Sequence, residues 1–229
     1  MQCLSRNIVV TMGERVRPMY EPAREHNTGS FGCETALYNG IMSVYDSCPE
    51  LSDDAYRIRL IDPRDAEDLL AVYSDKLALP FFNSDNCHGA NFYCRTLHDV
   101  QESIKYWLIE YHENRAFVRF AVESVETGDV IGTLEMFKRE ADDYYDDCGI
   151  LRIDLGTKYE RADAIEDILN LVSVPFMTWF GCSKIATKAP LYAVERRAAL
   201  ADAGYAAKRQ PLIGHDGTHY YDYWQMLRD

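Results

Sequence analysis

Between Tyr56 and the C-terminus, hydrophobic and polar residues follow the two periods that distinguish strands from helices. Short apolar segments predict about seven strands, at 56–61, 117–124, 130–138, 148–155, 183–188, 205–208 and 219–227. An i, i+3, i+4, i+7 spacing predicts about four helices, which begin near Asp62, Thr96, Ile165 and residue 190. The resulting order, β-α-α-β-β-β-α-β-α-β-β, predicts an α/β (α+β) fold with a mixed, mostly antiparallel central sheet. Only the 148–188 unit is expected to be a parallel crossover.

Local signals mark several boundaries of these elements. Asp62 and Thr96 are predicted N-caps, and Thr96 forms a capping box with Asp99. The sequence Glu126-Thr127-Gly128-Asp129 predicts a hairpin turn between two strands. Pro175 is expected to interrupt and kink the long helix, because proline lacks the N–H that the helix needs.

Residues 1–52 show no convincing period and are interpreted as an N-terminal extension, so that residues 53–229 form the predicted domain. Two interpretations of residues 1–41 remain open. They are either a genuine arm that packs on the body or on a partner, or non-native sequence added by an upstream start codon. Met42 directly precedes the patterned region.

The charge of the chain narrows the choice of partners. The 229 residues carry 24 Lys and Arg against 37 Asp and Glu, which gives a formal net charge of −13. This acidity argues against binding of nucleic acids or anionic membranes. Seven scattered cysteines are typical of reduced thiols, and no apolar run is long enough to cross a membrane, so the sequence predicts a cytoplasmic protein.

A metal site is not predicted. Cys87, His88, Cys94 and His98 lie within twelve residues of one another, but their spacing matches no common zinc pattern. A loop that faces the substrate is the preferred interpretation. The acidic segment 140–147 is either a solvated hairpin end or a surface that captures a basic substrate.

Several sequence segments resemble the GNAT superfamily of acyl-CoA-dependent N-acyltransferases, especially the branch that acetylates the N-termini of ribosomal proteins. The matching segments are Arg57–Leu60 with Asp62–Ala66, Phe120–Val122, Thr127–Thr133, Ala203–Tyr205 and His219–Trp224. The resemblance covers about residues 55–229. It implies a GNAT-like sheet and transfer of an acetyl group from acetyl-CoA to a primary amine by direct attack. The acceptor would be a small amine or a basic peptide N-terminus. A homodimer is considered, but the sequence does not decide the oligomeric state.

The resemblance also assigns site residues. Backbone groups of Ile153 and Leu155 would hold the pantetheine arm of acetyl-CoA. The pyrophosphate would lie on the first turn of the long helix, formed by Arg161, Ala162, Asp163, Ala164 and Ile165. The family has a Gln/Arg-x-x-Gly-x-Gly/Ala loop here, whereas this chain has Glu160, Asp163 and Ile165 at the three defining positions.

Glu135 is the predicted general base, because several family members carry a catalytic glutamate on the matching strand. The alternative is a glutamate on the solvent face of that strand. Because the phosphate loop departs from the family pattern, two functions stay open: an N-acetyltransferase, or a catalytically inactive GNAT-fold binding module that has lost coenzyme A binding.

Overall fold

The computed structural model describes residues 43–82 and 92–228. Its strands are β1 (Leu51–Ser52), β2 (Tyr56–Leu60), β3 (Val118–Ser124), β4 (Val130–Arg139), β5 (Cys148–Leu155), β6 (Lys184–Lys188), β7 (Ala206–Ala207), β8 (Leu212–Ile213), β9 (His219–Tyr220) and β10 (Tyr223–Leu227). Its α-helices are α1 (Ala66–Tyr73), α2 (Leu79–Phe82), α3 (Leu97–Ile109), α4 (Ala162–Trp179) and α5 (Val194–Asp202). No α-helix of the described residues is long and apolar enough to span a membrane.

Eight strands form one sheet in the order β1-β2-β3-β4-β5-β6-β10-β7, and β8 pairs with β9 in a separate hairpin. All neighbours in the large sheet are antiparallel except β5 and β6. These two strands pair in parallel only from Cys148 to Ile150, opposite Lys184 to Ala186. Beyond that point they separate, and a cleft opens between the C-terminal halves of β5 and β6. The prediction of a mixed, mostly antiparallel sheet is confirmed.

Helices cover both faces of the sheet and pack on it through their apolar sides. The α4 helix packs on one face, where Phe176 stacks on Phe120 of β3 with ring centroids 4.7 Å apart. Helices α1 and α3 cover the other face with a second apolar cluster that includes Tyr73 and Trp107. Thr96 begins α3 with the predicted capping box. The site described below lies between the second face and the β8–β9 hairpin.

The described part of the predicted N-terminal extension contributes to the same sheet. Strand β1 pairs with β2, and Val44 is buried, its carbonyl oxygen accepting a hydrogen bond of 3.0 Å from the Tyr111 hydroxyl. Residues 43–52 therefore pack on the body of the protein. Residues 1–42 lie outside the described residues.

The structure corrects two details of the sequence interpretation. Helix α4 is not interrupted at Pro175, and the rings of Phe176 and Trp179 in its last turn lie against Phe120. The predicted strand 219–227 is divided into β9 and β10 at Asp222, whose φ of 67° is left-handed and breaks the extended conformation. The first half then pairs with β8 and only the second half joins the large sheet.

Candidate active site

A cavity of about 490 Å³ opens between the sheet and the β8–β9 hairpin. Its lining carries four carboxylates, from Glu135, Glu140, Asp142 and Asp143, and the guanidinium groups of Arg139 and Arg152. We call this space the acidic cavity. Its volume is in the range of small-molecule sites. Residues 140–143 of the acidic segment 140–147, for which the sequence left two interpretations open, therefore line the cavity.

One wall of the acidic cavity is held by Asp143. Its carboxylate accepts two hydrogen bonds from Arg139, of 2.5 and 2.8 Å, and one of 2.9 Å from the backbone N–H of Ile213 in β8. Arg139 also donates to the Ile213 carbonyl oxygen at 2.6 Å. Burial acts to raise the pKa of Asp143, but the hydrogen bonds from Arg139 and from backbone N–H groups outweigh it, and the pKa is lowered. The hairpin is thus tied to the end of β4 by a charged clamp.

Glu135 lies on β4 at the floor of the acidic cavity and is almost fully buried. The register places it directly between Arg119 of β3 and Arg152 of β5. Its Oε2 accepts a hydrogen bond of 2.5 Å from Nη2 of Arg119. The residue therefore faces the acidic cavity, with little of its surface exposed.

A buried polar network continues from Arg119 away from the cavity. Its Nη1 donates to Asp154 at 3.0 Å and to Thr133 at 3.1 Å, and the Tyr73 hydroxyl donates to the same Asp154 oxygen at 3.1 Å. Burial works against the charge of Arg119, but attraction to Glu135 and Asp154 outweighs this and raises the pKa of Arg119. Burial next to Asp154 raises the pKa of Tyr73. Arg119 is thus a cation and Tyr73 a neutral donor.

The residues assigned to the pantetheine arm lie at the cleft between β5 and β6. Ile153 and Leu155 are on the part of β5 that has separated from β6, and both side chains pack under α4. The space left in the cleft is about 30 Å³, beside Phe81 and Arg196. A cleft of this size holds about one water molecule and is far smaller than a usual ligand site. Arg152 lines both this cleft and the acidic cavity.

The residues assigned to the pyrophosphate lie at the start of α4. Arg161 precedes the helix and pairs with Asp163 through bonds of 3.0 and 2.7 Å, both side chains being exposed. The hydrogen bond from Arg161, followed by that from the backbone N–H of Ala164, lowers the pKa of Asp163. The Ala162 N–H donates to the Glu195 carboxylate of α5 at 3.0 Å. Ile165 is buried in the core.

Glu160 adds a further internal contact beside this turn. It forms an ion pair with Arg196 of α5, and both side chains are buried. Burial raises the pKa of Glu160, and the attraction of Arg196 offsets only part of this effect. Carboxylates from the chain itself therefore occupy the helix N-terminus, and the residues present do not fit the pyrophosphate of coenzyme A in this arrangement.

Sequence reasoning missed most of the network below Glu135. Arg119, Thr133 and Asp154 were not singled out, although polar residues at alternate positions of apolar strands carried a signal. Thr133 and Glu135 on β4, like Arg152 and Asp154 on β5, share one face of the sheet. Of the residues considered for a metal site, Cys94 is buried, and Cys87 and His88 lie outside the described residues.

No protein-family model and no curated protein matches the chain. Solved structures with the same fold include a GNAT-family acetyltransferase from Bacillus anthracis, with a TM-score of 0.58 and 12% identity over 78% of this chain and 98% of that chain. Ribosomal-protein-S5-alanine acetyltransferase from Vibrio fischeri matches with a TM-score of 0.55 and 16% identity over 79% and 97%. Spermidine N-acetyltransferase from Vibrio cholerae, in complex with CoA and spermine, matches with a TM-score of 0.55 and 12% identity over 77% and 97%. The chain thus has the fold of GNAT acetyltransferases, which confirms the predicted fold.

Proposed function

We propose that this protein is an N-acyltransferase that acts on a cationic amine bound in the acidic cavity, with Glu135 as the group that accepts the amine's proton. The observation that carries the proposal is the position of Glu135 at the floor of a cavity lined by three further carboxylates. The fold shared with acetyltransferases of ribosomal proteins and of spermidine supports the reaction class.

The charge of the cavity supports a cationic acceptor. Its four lining carboxylates outnumber its two guanidinium groups, of which Arg139 pairs with Asp143 and Arg152 donates to the Phe82 carbonyl oxygen at 2.7 Å. An ammonium group 4 Å from one carboxylate gains about 4 kcal/mol of attraction at an effective dielectric of 20, before its desolvation cost. A primary amine with a second positive charge, such as a polyamine or a basic peptide N-terminus, suits these carboxylates.

Glu135 suits the role of proton acceptor by its position at the floor of the acidic cavity. An amine must lose a proton before it can attack a carbonyl carbon, and a carboxylate within hydrogen-bond distance can take that proton. Arg119 donates a hydrogen bond to Oε2 of Glu135, so Oε1 is the oxygen that we assign to an amine in the cavity. The other three lining carboxylates attract and orient the cation, and Glu135 binds the reacting nitrogen. These three belong to Glu140, Asp142 and Asp143.

An acyl thioester would supply the acyl group, and we propose the separated edge of β5 at Ile153 and Leu155 as the place for its pantetheine arm. The cleft there is too small for the arm unless Phe81 and Arg196 move. The proposed pyrophosphate residues 161–165 would accept the anion only after Glu195 leaves the Ala162 N–H.

The closed helix N-terminus favours a second candidate, an amine-binding module of GNAT fold without coenzyme A binding. In this case the acidic cavity would bind the same class of cation, but no acyl group would be transferred. The buried Glu160–Arg196 pair is the observation behind this candidate, because it fills the space beside the first turn of α4.

Incubation of the full chain with acetyl-CoA and either spermidine or a lysine-rich peptide tests the proposal, with mass spectrometry of the amine. We expect acetylated product, and a loss of rate of about 10²–10⁴-fold in E135Q. E126Q, the same substitution in the exposed β3–β4 turn, serves as the matched control and should keep the wild-type rate. Spermidine binding without any product would favour the second candidate, and full activity of E135Q would exclude Glu135 as the base.

A further inference from the structure

Arg119 is a fully buried cation below the floor of the acidic cavity, with an exposed side-chain fraction of 1%. It does not line the cavity, yet it contacts Glu135, which does. We propose that Arg119 is a positioning residue that fixes the Glu135 carboxylate towards the amine. This inference rests on the proposed function, because it assigns to Glu135 the contact with the bound cation.

The guanidinium group is held on several sides, so its orientation is defined. Nη2 donates to Glu135, while Nη1 donates to Asp154 and Thr133. Asp154 has no exposed surface and is itself held by the Tyr73 hydroxyl. The ring of Trp107 lies 4.5 Å from the guanidinium carbon and covers it. A planar fork fixed in this way can hold a carboxylate in one orientation.

The charges of the cluster support the same conclusion. Arg119 lies between the carboxylates of Glu135 and Asp154, and Arg152 approaches the second oxygen of Asp154 at 3.9 Å. Two cations thus balance two anions in a largely buried space. Arg119 thus bridges the two carboxylates and fixes the position of Glu135 relative to the buried Asp154.

Lysine in place of arginine separates positioning from charge. A lysine at position 119 keeps the positive charge but offers a single nitrogen, which cannot reproduce the separate contacts of Nη1 and Nη2. If Arg119 acts through Glu135, its substitution should matter only while Glu135 is present. A residue with a merely structural role would instead weaken binding by the same factor in either background.

The test is a double-mutant cycle with wild type, R119K, E135Q and R119K/E135Q, in which spermidine binding is measured by calorimetry. We expect each single variant to bind spermidine about tenfold more weakly and the double variant to bind no more weakly than E135Q. R57K, the same substitution at an exposed arginine of β2, is the matched control and should bind like wild type.

Equal losses for R119K in both backgrounds, or wild-type binding by R119K, would overturn the proposal while leaving the proposed function intact. A wild-type chain that binds neither spermidine nor a lysine-rich peptide would instead overturn the proposed function together with this inference. If R119K does not fold, T133V serves in its place, because it removes one anchor of Arg119 with little change of shape. The same pattern is then expected with a smaller loss.

Discussion

Substitution of Asp143 by asparagine should release the β8–β9 hairpin from the wall of the acidic cavity. The Asp143 carboxylate accepts two bonds from Arg139, one from the backbone N–H of Ile213 and one from that of Tyr145, at 2.5–2.9 Å. Hydrogen bonds to a charged group contribute about 1.5–3 kcal/mol each, and the neutral amide keeps only one acceptor oxygen. We therefore expect D143N to destabilise the closed hairpin by about 2–4 kcal/mol.

Hydrogen exchange followed by NMR measures this loss at a defined atom. The Ile213 amide donates to Asp143, so its protection should fall on the order of 10²-fold in D143N. D142N removes the neighbouring, exposed carboxylate and is the control, with protection of Ile213 unchanged. Equal protection of the Ile213 amide in wild type and D143N would show that Asp143 does not hold the hairpin closed.

The pH dependence of the same amide gives an independent check with a definite sign. The pKa of Asp143 is lowered from its ordinary value of 3.8, so the stabilisation is fully present above pH 3.8 and is lost as the pH falls through the lower value of the folded state. The extra protection of wild type over D143N should therefore disappear on acidification. A difference that stays constant to low pH would show that the carboxylate charge is not its source.

Three further predictions concern the stability of the fold and can be measured by urea unfolding. Y73F removes the hydroxyl that bonds Asp154 and Thr133 in the buried network, and should cost about 1–3 kcal/mol; no loss would contradict the network. G132A places a methyl carbon 2.2 Å from the Asp154 carbonyl oxygen, so it should lower the free energy of unfolding by about 1–3 kcal/mol. A urea midpoint equal to that of wild type would contradict this prediction. E160L/R196M replaces a buried ion pair by apolar side chains and should be as stable as wild type or more so, because burial of the pair is itself costly; a clear loss would show that the pair stabilises the loop.

The elements with strong local signals could be predicted from the sequence. The Glu126–Asp129 turn fixes the β3–β4 hairpin, and Thr96 begins α3, because the residues that decide these boundaries are neighbours in the chain. The β8–β9 hairpin was not predicted as such. Its strands have two residues each, and its position depends on Asp143, 70 residues before Ile213.

The candidate site was only partly accessible to the same reasoning. Glu135 could be singled out, because a charged residue in an apolar strand is noticeable without any structure. Its partner Arg119 could not be identified from the sequence, because the pairing of the two residues depends on the register between β3 and β4. The ion pair of Glu160 with Arg196 joins residues 36 positions apart, and no local sequence pattern predicts it. Glu160 was expected to depart from the loop that the resemblance implies, but nothing in the sequence indicated that it would be buried against a cation.

The central claim, acyl transfer to an amine in the acidic cavity, requires that the chain bind acetyl-CoA, and calorimetric titration of acetyl-CoA into the full chain without an acceptor amine tests this most directly, because no turnover then adds heat. We expect saturable binding, and tighter binding by about two- to fivefold in E195Q, because that substitution removes a negative charge from the first turn of α4. Absence of saturable heat up to millimolar acetyl-CoA in both proteins would contradict acyl transfer and leave an amine-binding module.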